Sequence, residues 1–288
     1  MRRSTLLVIL LVALLAAPVI CEAEKPKGNL IIIGGGGEPE EVWPRLIELA
    51  GGKQASIIIL PTATESKTSG PAYEKYLEEE YGCTNVEVLD LKTRLDAFTL
   101  RNVRLLRNAG GIFFTGGDQT LILIALYKTP AGKAIKQAFT RGAVIAGTSA
   151  GAAIMGEKTI TGIGDFEVIK SATVQLWPGF EFVSGAVFDQ HFIARKRLNR
   201  LLSVILENPE YLGIGIDEST AVWVRPEGRF DVLGGGSAVV IDASGSTVNG
   251  TNQSSDPANL GVYDLKVHIL LPGDTFDMNT KTVTDRTK

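Results

Sequence analysis

The sequence predicts a three-layer α/β fold built on a doubly wound, mostly parallel sheet with a C-terminal antiparallel extension. Three observations predict it. Five short apolar runs rich in Ile and Val lack the alternation of half-exposed strands, as expected of parallel strands buried on both faces. Segments of helical period separate those runs, the pattern of βα units. After about residue 210 the runs come closer together and one of them alternates, the mark of antiparallel strands.

The first run, 29–33, ends in Gly34-Gly35-Gly36-Gly37 and leads to a helix over 40–50. The second, 55–60, ends in Pro61-Thr62-Ala63-Thr64, with a helix over 71–81 behind it. The third, 86–89, precedes a helix over 96–108. The fourth, 111–114, ends in Thr115-Gly116-Gly117-Asp118-Gln119 before helices over 119–127 and 132–140. The fifth, 143–146, runs into Gly147-Thr148-Ser149-Ala150-Gly151. Ligands of doubly wound sheets sit at the carboxyl ends of the strands, so these loops are expected to face one cleft. Strands at 213–216, 221–224, 230–233 and 238–241, with an alternating one at 263–270, are expected to extend the same sheet, and 245–258 reads as a polar, exposed loop.

Residues 1–23 read as a secretory signal peptide: Arg2 and Arg3, an apolar stretch, then the small-x-small site Cys21-Glu22-Ala23. Residues 24–288 are left as a single α/β domain, secreted or periplasmic, with no stable membrane association after cleavage. That part holds one cysteine, Cys83, so no disulfide framework forms. The formal net charge of −3 supplies no basic stripe for nucleic acid. Two histidines and one cysteine are too few for a typical metal centre, and no cofactor is expected. The glycine tract 34–37 is not followed by Lys-Ser/Thr, and the second run ends in Pro61-Thr62 rather than an acid, which excludes both phosphate-loop and dinucleotide readings. The tract is instead expected to let two backbones, or a backbone and a substrate, approach closely.

Gly147-Thr148-Ser149-Ala150-Gly151 has the form of a nucleophile elbow, a sharp strand-to-helix turn that presents one serine. A serine nucleophile needs a base. His268 lies in the alternating strand among surface residues, so His191, at the end of an apolar stretch, is the base by elimination. The base in turn needs a carboxylate, and Asp165, Glu167, Asp189, Asp217 and Glu218 all remain open for that role. Backbone N–H groups of Gly117 or Asp118, together with Ala150, are candidates for an oxyanion hole. Arg195, Arg197 and Arg200 open a helix beside His191, with Leu198, Leu201, Leu202 and Ile205 as its apolar stripe. Their guanidinium forks suit a substrate carboxylate.

Four blocks in this order, Gly116-Gly117-Asp118-Gln119, Gly147-Thr148-Ser149-Ala150-Gly151-Ala152, Asp189-Gln190-His191-Phe192 with Arg195, Arg197 and Arg200, and Gly215-Ile216-Asp217-Glu218, resemble the cyanophycinases. These stand in a wider family of aspartyl dipeptidase-like serine peptidases. The resemblance implies the flavodoxin-like fold of class I glutamine amidotransferase domains. It implies Ser149 as nucleophile, His191 as base and Glu167 as the third member. It also implies a pocket lined by Gln119, Asp189, Gln190, Arg195, Arg197, Arg200 and Glu218, no metal, and a homodimer. The expected reaction is release of β-Asp-Arg from an arginine-bearing poly-aspartate. The alternatives are an α-aspartyl dipeptidase, or an exported binding protein of the same fold without catalysis.

Overall fold

A computed structural model describes residues 26–250 and 257–284 of the 288-residue chain. The leader expected over 1–23 and part of the loop at 245–258 lie outside the described residues.

Strands β1 (Leu30–Ile33), β2 (Ile57–Leu60), β3 (Val86–Val88), β4 (Gly111–Phe114) and β5 (Val144–Thr148) are parallel and stand in the order β1-β5-β4-β2-β3. Their lack of alternation has a direct cause. Leu30, Ile32, Ile58 and Leu60 enter one core, while Ile31, Ile33, Ile57 and Ile59 enter another on the opposite face. Helices α1 (Val42–Ala50) and α2 (Ser69–Tyr81) cover the second of these cores. Helices α3 (Leu100–Asn108), α4 (Gln119–Leu126) and α5 (Pro130–Arg141) pack into the first. Asp118 caps α4 by accepting the Thr120 N–H at 2.8 Å, and Thr129 caps α5 by accepting the Gly132 N–H at 3.1 Å. Such caps satisfy N–H groups that the first helical turn leaves unpaired.

Past β5 the chain makes one short helix, α6 (Ala150–Ala153), then β6 (Gly156–Gly164), β7 (Val174–Pro178), β8 (Val183–Gln190), α7 (Leu198–Glu207) and β9 (Leu212–Ile216). It continues through β10 (Thr220–Val224), β11 (Arg229–Gly234), β12 (Ala238–Asp242), β13 (Thr247–Asn249), β14 (Gly261–Tyr263), β15 (Lys266–Leu270), β16 (Thr275–Asp277) and β17 (Thr282–Thr284). The expected antiparallel extension is present: β10 pairs with β1, and β11, β16 and β17 follow outward. It does not take every late strand. β9, β12 and β15 join β6, β7 and β8 in a second sheet of order β15-β12-β9-β8-β6-β7. The two sheets share one core, with Ile214, Ile216 and Val240 of the second meeting Val222 and Val224 of the first. On its other face the second sheet is covered by α7 through Leu201, Val204 and Ile205. The stripe expected on α7 is rotated there: Leu198 is 44 % exposed, whereas Arg200 is buried and drawn inward by an ion partner described below.

Candidate active site

The elbow forms where β5 meets α6. Ser149 sits between them at φ 52° and ψ −108°, a left-handed position that costs a non-glycine residue about 1–3 kcal/mol. Its N–H donates to the Ile33 carbonyl at 3.0 Å, tying the turn to the end of β1. Two glycines make the turn possible. A Cβ on Gly147 would lie 2.5 Å from the Gly151 backbone, and one on Gly151 would lie 2.5 Å from the Phe114 carbonyl.

His191 follows β8 directly, also at positive φ (49°), with its N–H donating to the Gly34 carbonyl at 2.8 Å. Its Nε2 lies 2.8 Å from Ser149 Oγ, and its Nδ1 lies 2.6 Å from Glu218 Oε1. With the carboxylate on Nδ1–H, Nε2 is the free acceptor for the serine proton. The glycine tract after β1 is the floor under this line of three groups. A Cβ on Gly35 would fall 2.3 Å from His191 Cε1, and one on Gly36 would fall 2.6 Å from Glu218 Cβ.

Of the five open carboxylates, Glu218 alone holds this place. Glu167 lies on the exposed turn between β6 and β7, where its N–H donates to Asp165 Oδ1 and its carbonyl accepts from Asn199 Nδ2. It is not the hydrogen-bond partner of His191. The reason is register: β8 and β9 are parallel neighbours with Gln190 opposite Ile216, so the residues that follow each strand emerge together. Asp217 uses that adjacency differently, accepting the Ile193 and Ala194 N–H groups at 3.1 and 3.0 Å and shaping the turn after His191. Asp189 faces away and binds Arg200 bidentately through Nε (2.7 Å) and Nη2.

The residues expected to line the pocket divide into enclosed and open groups. Asp189 and Arg200 are 1 % and 3 % exposed and pair with each other, with Arg197 Nη1 a second, more distant partner of Asp189 at 3.6 Å. Breaking one side of such a buried pair typically costs about 3–5 kcal/mol, so this pair anchors α7 to β8. Gln190 accepts from Arg197 Nη1 at 2.6 Å through both its side-chain and backbone oxygens. Gln119 is buried and donates to the Ile160 carbonyl at 2.6 Å. Arg195 is exposed, whereas the Arg197 side chain is only 16% exposed. Burial and the neighbouring Arg200 push Arg197 down to about 10, which still leaves it cationic at neutral pH. Of the oxyanion candidates, the Asp118 N–H is committed to the Ala63 carbonyl at 2.7 Å; Gly117 and Ala150 remain. His268 sits on the edge strand β15, its ring 5.4 Å from that of Phe276. Among the described residues no cluster of three His, Cys, Asp or Glu side chains is arranged to hold a metal ion.

Burial lowers the His191 pKa below its ordinary 6.5; the Glu218 hydrogen bond opposes this, and Arg195 and Arg197 reinforce it. The imidazole is therefore neutral at pH 7, the form that accepts a proton. Because the lowered group must be deprotonated to act, kcat/KM is expected to fall on acidification with a midpoint below 6.5. Replacing Arg197 with Gln removes a charge that lowers the pKa and should move that midpoint up. A pH–rate profile checks both, and an acid limb at or above 6.5 in the parent would overturn the reading.

The strained serine, the neutral histidine hydrogen-bonded to it and the surrounding α/β sheet define a serine-type hydrolase. The model of peptidase family S51 matches residues 30–231, and the chain belongs to that family of serine peptidases. The cyanophycinase of Nostoc sp. is 36% identical over 264 residues, covering 89% of this chain and 88% of that protein. The cyanophycinase of Geminocystis herdmanii is 34% identical over 261 residues, 88% of this chain and 95% of that protein. The fold is shared with the crystal structure of a peptidase from an acI-B1 Actinobacterium, with a TM-score of 0.64 at 22% identity, over 88% of this chain and 98% of that one.

Proposed function

We propose that the chain is an exported exopeptidase of cyanophycinase type, releasing β-Asp-Arg dipeptides from multi-L-arginyl-poly-L-aspartate through Ser149, His191 and Glu218. The observation that carries this is the unbroken line from Ser149 Oγ through the His191 ring to Glu218, at 2.8 and 2.6 Å, in a chain 36% identical to a cyanophycinase. Ser149 Oγ attacks the backbone amide carbonyl while His191 Nε2 takes its proton. The tetrahedral oxyanion is met by the Gly117 and Ala150 N–H groups, and loss of one such donor typically costs about 10²–10³ in rate. His191 then gives its proton to the leaving amine; water next attacks the acyl-serine carbonyl as His191 takes its proton, and His191 returns that proton to Ser149 Oγ as the acyl product leaves. Arg195 and Arg197 suit the carboxylate of the departing unit.

Export rests on residues 1–23, with one peptidase domain over 24–288. An exported enzyme meets the polymer outside the cell that stored it, and a homodimer without membrane association fits that setting. Digestion of purified cyanophycin, followed by mass spectrometry, is expected to yield β-Asp-Arg. Preferential cleavage of simple Asp-x dipeptides with the polymer left intact would instead favour an α-aspartyl dipeptidase. Finding residues 1–23 retained on the protein from its native host would sink the export reading.

A further inference from the structure

The rim of the strand ends carries a second concavity that the mechanism above does not use. Glu38, two residues beyond Gly36, lines it; α1 contributes Trp43, and α2 contributes Ala72, Tyr73 and Tyr76. Together they line a cavity of about 310 Å³. Its rings are set at angles to one another: Trp43 and Tyr73 have centroids 5.6 Å apart at 46°, and Trp43 and Tyr76 lie 6.1 Å apart at 67°. Trp43 and Tyr73 also pack on Phe113, at 4.8 and 4.9 Å, which holds them rigid. Tyr76 is 41% exposed and forms an open wall.

Glu38 Oε1 accepts the Tyr73 hydroxyl at 2.8 Å. Burial, and then the Glu38 charge, push the Tyr73 pKa up, so the phenol stays a donor and the carboxylate stays oriented by it. Trp43 is 3% exposed, so Tyr76 is the ring left open, and an open aromatic ring in a concavity that also holds a carboxylate is complementary to an organic cation. A planar guanidinium fits better than an ammonium, because it can stack on a ring and still present paired N–H groups to a carboxylate. The cavity is also well placed. Gly36 packs against Glu218, and two further residues of chain add at most about 8 Å. Glu38 thus follows within two residues of the backbone that underlies Glu218.

We propose that the cavity bounded by Glu38, Trp43, Tyr73 and Tyr76 is a guanidinium subsite that holds an arginine side chain of the substrate next to the unit being cleaved. The source of that guanidinium rests on the function proposed above; binding itself does not. The first test titrates agmatine, which carries a guanidinium and an ammonium but no carboxylate, into Ser149→Ala protein by calorimetry, with butylamine as the ammonium-only control. Saturable binding is expected, weakened about 10-fold by Tyr76→Ala and by Glu38→Gln. The second test measures cyanophycin turnover with Ser149 intact. Tyr76→Ala should raise KM about 10-fold with kcat kept, and should leave cleavage of a substrate with a single arginine unit unchanged. Circular dichroism and melting curves establish that the variants are folded. No agmatine binding, or equal binding by folded variants, would overturn the subsite. If cyanophycin is not cut while cavity-dependent binding persists, the functional reading falls and the guanidinium site stands.

Discussion

Replacing Ser149 with alanine is expected to lower kcat by about 10⁴–10⁶-fold while leaving the fold in place. The loss is large because, in the mechanism proposed above, the other groups act through this one oxygen, 2.8 Å from His191 Nε2. The fold should survive because alanine keeps the Cβ and the turn is held by backbone. The Ser149 N–H remains bonded to Ile33, and its carbonyl still accepts from Ala152 and Ala153. Stability is therefore expected to change by less than about 1 kcal/mol, read from chemical denaturation, while turnover of cyanophycin is read by product release. Substantial turnover of any aspartyl peptide by the folded variant would remove Ser149 as the nucleophile.

Glu218→Gln should lower kcat by about 10⁴-fold with KM little changed, whereas Glu167→Gln should stay within about threefold of the parent. The carboxylate 2.6 Å from Nδ1 favours the tautomer that leaves Nε2 free, and in the proposed mechanism it stabilises the imidazolium that forms as the serine attacks. An amide in its place can donate to Nδ1 and favour the wrong tautomer. It also removes a contact that raises the His191 pKa, so the acid limb of the residual activity should move to lower pH. Glu167 sits on the exposed turn after β6, bonded through its backbone to Asp165 and Asn199, and has no such leverage. A crippled Glu167→Gln beside an active Glu218→Gln would mean that the hydrogen bonds seen here are not those of the working enzyme.

The parallel half of the fold was legible because burial on both faces writes itself into composition. Ile31 and Ile32 are neighbours that enter different cores, so neither can be polar. Ser149 was legible for a similar reason: a turn this tight constrains Gly147 and Gly151 on either side of that serine. His191 could be found by elimination, since the only other histidine lies on an edge strand. The division of the late strands was not legible. β9 and β10 are separated by only three residues yet join different sheets, because both offer apolar faces to the same core and local pattern does not say which neighbour a strand pairs with.

The acid shows the same boundary within the site. Taken alone, the residues left Asp165, Glu167, Asp189, Asp217 and Glu218 open, and family resemblance favoured Glu167. The side-by-side register of β8 and β9 brings His191 and Glu218 out at the same end, and the bare backbone of Gly35 and Gly36 gives them room. By itself the sequence determined what depends on neighbours along the chain: the buried strands and the serine turn. Only the tertiary structure decided which carboxylate meets His191 and which arginine is consumed by Asp189. Those choices are made through space, by strand register and burial, among side chains that are chemically alike.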